Sequence, residues 1–295
     1  MRGRLFLYGE AAKGVKVIVF SDMDGTLLSS DNRITPATVE MLDVLHENGI
    51  EFVPCTGRPL MGVPRELLAH PAVNYVVCSG GTSVAELSDV TPAGCMRMTT
   101  IMCEPLRNGV AERIWSFARD LDVTFEVFVD GDCLMPSSMY DRLDEFSQGD
   151  SRVADALRAV HTPVDGTPEQ IMARLADVER VILYWRNAGE GETLGRFLKT
   201  MPGIAVVSSY PNNFEITRND VSKGMAIRWL CGHLGISVTD SYGFGDSSND
   251  LGMFEAVGHA CAMKNATTEV KAVADAVTEF DNDHDGVAHA VLSLM

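Results

Sequence analysis

The sequence predicts an α/β protein: a doubly wound parallel-sheet, Rossmann-like core carrying an inserted α+β cap domain. Three observations lead there. Short apolar runs alternate with helical stretches at both ends of the chain, the rhythm of right-handed crossover units. In the middle that alternation gives way to hairpin-like strands. Polar and acidic clusters follow the core strands, at the sheet edge where open α/β folds bind their ligands. The expected division is residues 1–83 for the first part of the core, 84–217 for the cap and 218–295 for the second part of the core.

Val15 to Phe20 is a nearly continuous β-branched run, as in a strand buried on both faces. Thr35 as N-cap, Pro36 at the first helical position and Val39, Met41, Leu42 and Leu45 predict a helix ending near Gly49. Ile50 to Cys55 and Val73 to Cys78 are the next strands. From Ser83 to about Met102 the text is strand- and turn-like, with a turn at Pro92 and Gly94. Leu106, Val110, Ile114, Phe117 and Leu121 form a helical stripe, and Val123 to Val129 a strand closed by an Asp130-Gly131-Asp132 turn. A helix over 153–160, a strand over 181–185, a helix over 193–201 and a strand over 204–208 complete the cap. Alternation resumes with a helix capped by Ser222 and ended by Gly235, then a strand over 241–245 and a helix over 250–256. A strand over 259–263, a helix over 268–274, a short strand over 276–280 and a helix over 287–294 follow. Residues 1–14 precede the first strand and acquire no role.

Composition sets limits on function. A chain of 295 residues with 46% hydrophobic and 22% charged residues suits about two globular domains. Its 24 basic and 41 acidic residues give a net charge of -17, which excludes nucleic acid and anionic membrane surfaces as partners. A small phosphorylated ligand remains compatible, because a metal ion overrides the global field locally. No apolar stretch reaches the roughly 20 residues of a membrane helix, and Leu5 to Tyr8 is too short for a signal-peptide core. Seven scattered cysteines without a CxxC spacing read as reduced thiols in a cytoplasmic protein, neither a disulfide framework nor a zinc site. Oligomeric state leaves no mark on the sequence.

The chemistry concentrates in four clusters at strand ends or helix starts: Asp22 and Asp24, Thr56, Lys223, and Asp246 with Asn249 and Asp250. Several carboxylates crowded at one edge repel each other, and a bound cation resolves that repulsion. Oxygen-only ligands point to a hard ion such as Mg²⁺, which recruits substrate phosphate. Lys223 opposes the dipole of its own helix by about 0.3–1 kcal/mol and therefore calls for an anion beside it. No His or Ser is so placed, so a carboxylate is the expected nucleophile.

Asp22-Met23-Asp24-Gly25-Thr26-Leu27, Thr56-Gly57-Arg58, Lys223-Gly224 and Gly245-Asp246-Ser247-Ser248-Asn249-Asp250 occur in that order. Together they resemble the four motifs of the haloacid dehalogenase-like hydrolase superfamily, specifically the Cof-type phosphatases with a C2-type (α/β) cap. The likeness continues through Ala262-Met263-Lys264-Asn265-Ala266 and Asp285-Gly286-Val287-Ala288, and it covers the core. The resemblance implies a Mg²⁺-dependent phosphatase acting on a small phosphorylated metabolite, expected to be a sugar phosphate. Asp22 would attack phosphorus and form an aspartyl-phosphate, and Asp24 would serve as acid and then base. Thr56 and Lys223 would hold the phosphoryl group, with Gly57, Arg58 and Asn249 as further phosphate or substrate contacts. Asp22, the backbone carbonyl of Asp24 and Asp246 would bind the metal, supported by Asp250. A phosphomutase or phosphotransferase with the same nucleophile is the alternative, as is a non-catalytic binder, which would have no need of Asp24. One departure stands out: Ser79-Gly80-Gly81 replaces the Asn-Gly pair common in the family.

Other signals read as structural. Asp281, Asp283, Asp285 and Gly286 imitate the start of an EF-hand loop, but Leu292 occupies the twelfth position, so a turn before the last helix is expected. Gly189, Gly191 and Gly195 lack dinucleotide spacing and are expected in a flexible cap loop. The seven histidines show no metal-binding spacing and read as surface or packing residues, as Trp115, Trp185 and Trp229 read as packing. For Arg58, substrate contact and structural ion pairing are equally expected.

Overall fold

A computed structural model describes residues 16–88, 97–107, 109–147, 151–175, 178–208 and 210–295. Residues 1–15 and the turn expected at Pro92 and Gly94 lie outside these. The chain divides into two compact units, one of residues 1–58, 63–102 and 222–295 and the other of residues 59–62 and 103–221.

In the first unit, strand Ile18–Ser21 is the keystone of a five-stranded parallel sheet. The spatial order is Ala276–Val277, His259–Ala262, Ser241–Gly245, Ile18–Ser21 and Glu51–Pro54. Ser21 pairs with Pro54 on one side and Phe244 on the other, so these three adjacent strands end level with one another. Ile18, Val19 and Phe20 are fully buried, which is why this run reads as continuously apolar. Helix Pro36–Glu47 starts as expected: Thr35 Oγ1 accepts the Thr38 amide at 3.1 Å, and Pro36 needs no partner for its missing N–H. Its buried face is Thr38, Met41, Leu42 and Leu45, whereas Val39 points to solvent, because only the former set keeps the three- and four-residue spacing.

The core also takes in residues that the sequence assigned to the cap. Ser83–Ser88 folds back antiparallel on Tyr75–Cys78, Val77 opposite Val84, and Arg97–Cys103 adds a third strand. A parallel bridge between Cys55 and Val77 ties this small sheet to the edge of the large one. The division therefore falls at 102/103 and 221/222 instead of 83/84 and 217/218, with residues 59–62 also in the second unit, because the hairpin ladder from Val77 to Val84 holds Ser83–Ser88 to the core. The EF-hand-like segment forms a short turn, Asn282–His284, before helix Gly286–Leu294. Asp283 accepts the Ser30 amide and hydroxyl, both at 2.7 Å, and Asp285 accepts Thr35 Oγ1 at 2.6 Å.

The second unit is built on a six-stranded sheet. Its order is Ile204–Val207, Asn213–Arg218, Arg180–Tyr184, Glu126–Val129, Asp132–Pro136 and His161–Val164, antiparallel except for the last pair. Asp130 and Gly131 both have positive φ, 50° and 83°, the backbone that lets a two-residue turn match the twist of its strands. Phe125, Val127, Val181, Leu183 and Ile216 face one core with helix Val110–Ala118, while Phe128, Cys133, Met135 and Tyr184 face another with Leu143, Phe146 and Leu157. The glycines expected in a loop lie in helix Ala188–Leu198 instead. A side chain at Gly191 would sit 2.4 Å from the Trp185 ring, so the helix needs glycine to rest on the indole. Strand Asn213–Arg218, unforeseen, carried its signal in the alternation of Phe214 and Ile216 with polar residues.

Candidate active site

Because three parallel strands end together, the residues just beyond them are brought into one place. Asp22 follows Ser21, Thr56 follows the strand ending at Pro54 by two residues, and Asp246 follows Gly245. Asp22 is fixed by its own amide, which donates to Phe244 O at 2.9 Å. A fourth residue, Lys223, opens helix Lys223–Leu234, whose N-cap Ser222 accepts the Met225 amide.

Lys223 is the hub. Its Nζ donates to Asp22 Oδ1 at 2.5 Å and to Asp250 Oδ1 at 2.7 Å, and all three residues are buried. The other oxygen of Asp250 accepts the amides of Asp246 and Ser247, at 2.9 and 3.2 Å. Asp250 is thus committed to protein donors on both sides and holds Lys223 in register with the Asp246 loop. The anion that Lys223 needs is a pair of carboxylates. Burial opposes its charge, but Asp22 and Asp250 together hold the ammonium pKa above its usual value.

Three carboxylates face this single ammonium, leaving two negative charges uncompensated when all are ionised. Asp22, Asp246 and Asp250 each turn an oxygen to within 4.8 Å of the others, so the donor set fits a hard divalent cation. Burial pushes the Asp22 carboxyl up to about 7 despite the attraction of Lys223, with Asp250 and Asp246 adding repulsion. Burial likewise raises Asp246, whose Oδ1 accepts from Thr26 Oγ1 at 3.2 Å. The backbone crowds this pocket: a side chain at Gly25 would meet Asp246 Oδ2 at 2.8 Å, and one at Gly245 would meet the Asp250 carboxyl carbon at 2.5 Å. Asp250, expected from the sequence as a supporting residue, lies with Asp22 and Asp246 and holds Lys223.

Asp24 stands in a different environment. Its side chain is 50% exposed and is gripped by the Arg58 guanidinium through Nε at 2.9 Å and through Nη2, which also donates to Asn32 Oδ1 at 2.8 Å. Arg58 is therefore an ion-pair partner of Asp24 in this structure. Thr56 is fully buried, and its hydroxyl oxygen accepts the Arg58 amide at 3.0 Å, leaving the hydroxyl proton to donate elsewhere. Gly57 is half-buried between them; Asn249 is exposed, with Oδ1 accepting from Ser247 Oγ at 2.8 Å.

Two segments named in the sequence only for their likeness to the family or departure from it also support the site. Asn265 donates to Gly25 O at 2.7 Å and accepts the Asn282 amide, pinning the loop that carries Asp24. Its position just past the end of strand His259–Ala262 was the available clue. The Ser79-Gly80-Gly81 loop locks onto the Thr56 turn, Ser79 N donating to Arg58 O and Gly80 N to Thr56 O, both at 2.9 Å. A recess of about 550 Å³ adjoins Asp24 and is lined by Ser30, Asn32, Asn265, Asp281 and Asp283.

A parallel sheet with carboxylates and one buried lysine beyond its strand ends defines a class of hydrolases, and comparison with known proteins agrees. The chain belongs to the haloacid dehalogenase-like hydrolases, which match residues 19–291. YxeH of Bacillus subtilis is 28% identical over 289 residues, covering 94% of this chain and 98% of that protein. YwtE of the same organism, a 5-amino-6-(5-phospho-D-ribitylamino)uracil phosphatase, is 27% identical over 288 residues, covering 93% and 96%. A haloacid dehalogenase-like hydrolase from Bacteroides thetaiotaomicron shares the fold with a TM-score of 0.77 at 23% identity, over 95% of this chain and all of that one. The chain is a phosphatase of this family. No helix among the described residues is long and apolar enough to cross a membrane.

Proposed function

We propose that this phosphatase hydrolyses a small phosphorylated metabolite of the sugar or polyol class in the cytoplasm, with Mg²⁺ as cofactor, through an aspartyl-phosphate on Asp22. The observation that carries the reading is the contrast between two carboxylates two residues apart. Asp22 is buried in the grip of Lys223, whereas Asp24 is half exposed and held by the Arg58 guanidinium. Lys223 directs one Asp22 oxygen, and the exposure of Asp24 leaves its carboxyl within reach of a leaving group and of water.

In this mechanism an Asp22 oxygen attacks phosphorus in line, and the bond to the leaving oxygen breaks as Asp24 delivers a proton to it. Asp24, now a carboxylate, takes a proton from water; that water attacks the aspartyl-phosphate, releasing inorganic phosphate and restoring Asp22. Thr56 donates its hydroxyl proton, and Lys223 its charge, to the non-bridging oxygens, with the Gly57 amide, Arg58 and Asn249 as further contacts. Mg²⁺, held by Asp22, Asp246 and the carbonyl of Asp24 with Asp250 in support, would neutralise charge on the phosphate and keep Asp22 ionised at neutral pH. The carboxylates, amides and hydroxyl lining the recess beside Asp24 favour a leaving group rich in hydroxyls. YwtE, named for a phosphoribityl compound, belongs to the same substrate class.

The test is phosphate release from an aryl phosphate and a panel of sugar and polyol phosphates, with Mg²⁺ and with EDTA. Release that needs Mg²⁺ and disappears in Asp22→Asn is expected. Phosphate transferred to a second sugar, with little released to water, would identify a mutase instead. Release unaffected by EDTA or by Asp22→Asn would overturn the mechanism.

A further inference from the structure

A second convergence of chemistry-bearing side chains lies wholly within the six-stranded unit. Glu126, Cys133 and His161 come from three neighbouring strands, Glu126–Val129, Asp132–Pro136 and His161–Val164. Cys133 is paired with Phe128 on one side and His161 on the other, and Glu126 is two residues from Phe128. All three side chains therefore leave the same face of the sheet. That face is roofed by Leu143, Phe146 and Leu157. Glu126 is fully buried, and the side chain of His161 is 2% exposed. A carboxylate oxygen, the thiol sulfur and an imidazole nitrogen all lie within 4.8 Å of one another.

The remaining atoms of each group show how the donors are aimed. His161 Nδ1 lies 2.5 Å from the carbonyl of Leu157. A carbonyl only accepts, so Nδ1 carries a proton and Nε2 is turned to Glu126 Oε2, 2.7 Å away. Anchoring one ring nitrogen on a backbone carbonyl is how proteins orient an imidazole toward a metal. Glu126 is anchored in the same way: Oε1 accepts from Thr124 Oγ1 at 3.1 Å, and that hydroxyl accepts the Tyr184 amide at 2.9 Å. His161 and Glu126 each have one end fixed and one donor turned inward, and Cys133 offers its sulfur from the strand between them.

The geometry points to a binding site for a borderline transition-metal ion of the Zn²⁺ type, with Glu126, Cys133 and His161 as its protein ligands. One S, one N and one O donor select Zn²⁺ or Co²⁺ over the hard ions that the oxygen-only cluster in the other unit suits. The exchange balances. Zn²⁺ replaces two protons, the one between Nε2 and Oε2 and the one on the thiol, and both leave to water. Imidazolium, carboxylate and thiol become imidazole, carboxylate and thiolate around a dication, so the buried cluster is neutral before and after. No net charge is driven into the apolar roof, which removes the largest cost of filling a dry site. Metal–ligand bonds of about 2.0–2.3 Å need donors roughly 3.5 Å apart, so the Nε2–Oε2 pair opens by less than about 1 Å on binding. The ion would clasp three neighbouring strands of the sheet together.

The experiment uses Co²⁺ as the spectroscopic probe on the full chain, in excess Mg²⁺ to fill oxygen-only sites. Metal is added both to the folded protein and during refolding, so that slow entry to a buried site does not mask binding. The site predicts one Co²⁺ per chain with a near-ultraviolet sulfur-to-cobalt charge-transfer band, displaced by equimolar Zn²⁺. Cys133→Ser should abolish the band while leaving phosphatase turnover and the far-ultraviolet dichroism unchanged. A band that survives Cys133→Ser, or no band under either protocol, would overturn the assignment and leave His161 and Glu126 as a metal-free buried ion pair.

Discussion

Lys223 Nζ touches Asp22 Oδ1 at 2.5 Å across 201 residues of sequence, and the same nitrogen touches Asp250 Oδ1 at 2.7 Å. One ammonium thus serves two buried carboxylates, with Asp246 close by. Removing either sign of charge should have opposite effects on stability.

Lys223→Met leaves the carboxylates without their counter-charge. Breaking a buried pair in this way costs about 3–5 kcal/mol. Thermal unfolding in EDTA should show a large fall in melting temperature, partly recovered by millimolar Mg²⁺. An unchanged melting temperature would mean that the lysine contributes little to holding the site.

Asp22→Asn removes a charge from an over-negative cluster. Turnover is expected to fall at least about 10³-fold, as for loss of a nucleophile, while melting in EDTA stays level or rises. Parallel losses of stability and activity would indicate a structural role for Asp22.

Asp24→Asn should separate chemistry from folding. General acid–base contributions are about 10²–10⁴-fold, and an exposed ion pair such as Asp24–Arg58 stabilises by no more than about 1 kcal/mol. Burst kinetics with an aryl phosphate, whose leaving group needs no proton, should show aspartyl-phosphate forming faster than it is hydrolysed. Wild-type turnover in this variant would remove Asp24 from the mechanism.

The pH dependence of stability follows from Asp22. Burial lifts its carboxyl to about 7, above the ordinary 3.8, so the folded chain retains a proton that the unfolded chain gives up. This group's contribution therefore worsens as pH rises from about 4 to about 7 and then stays level. In EDTA the melting temperature should decline across that window more steeply than with Mg²⁺ present. Coincident curves with and without the cation would show that the carboxylates are not its ligands.

Gly245→Ala tests the crowding of the site without altering any charged residue. A side chain there would lie 2.5 Å from the Asp250 carboxyl carbon, forcing that strut aside. Overpacking of this kind costs about 1–3 kcal/mol, and turnover should fall more than stability explains, measured well below the melting transition.

The legible part of this protein was its core, and the reason is local. Strand Ser241–Gly245 and the capped helix Lys223–Leu234 carry their signals within a dozen residues, and Asp22, Lys223 and Asp246 follow from rules about strand ends and helix starts. The cap boundary was not legible, because Ser83–Ser88 declares its allegiance only through a hairpin with Tyr75–Cys78. Gly189, Gly191 and Gly195 looked like a loop because the indole of Trp185, which their helix rests on, is invisible to propensity. The cluster of Glu126, Cys133 and His161 has no sequence spacing at all; it exists only through strand register.

Strand Ile18–Ser21 sits between Glu51–Pro54 and Ser241–Gly245, and this placement governs the order in which the chain assembles. One of its two edges has its partner within 33 residues, from Ile18 to Glu51; the other waits for residue 241. At about 5–20 residues per second, a ribosome needs roughly 10–45 s to supply that second partner. The contiguous segment 103–221 is complete earlier and meets its own contacts first. During that interval a strand whose apolar side chains are fully buried in the finished fold has one open edge, a template for pairing with other chains. The nascent chain, rather than the finished enzyme, is therefore where this fold is most exposed to aggregation, and where a chaperone would have the most to protect.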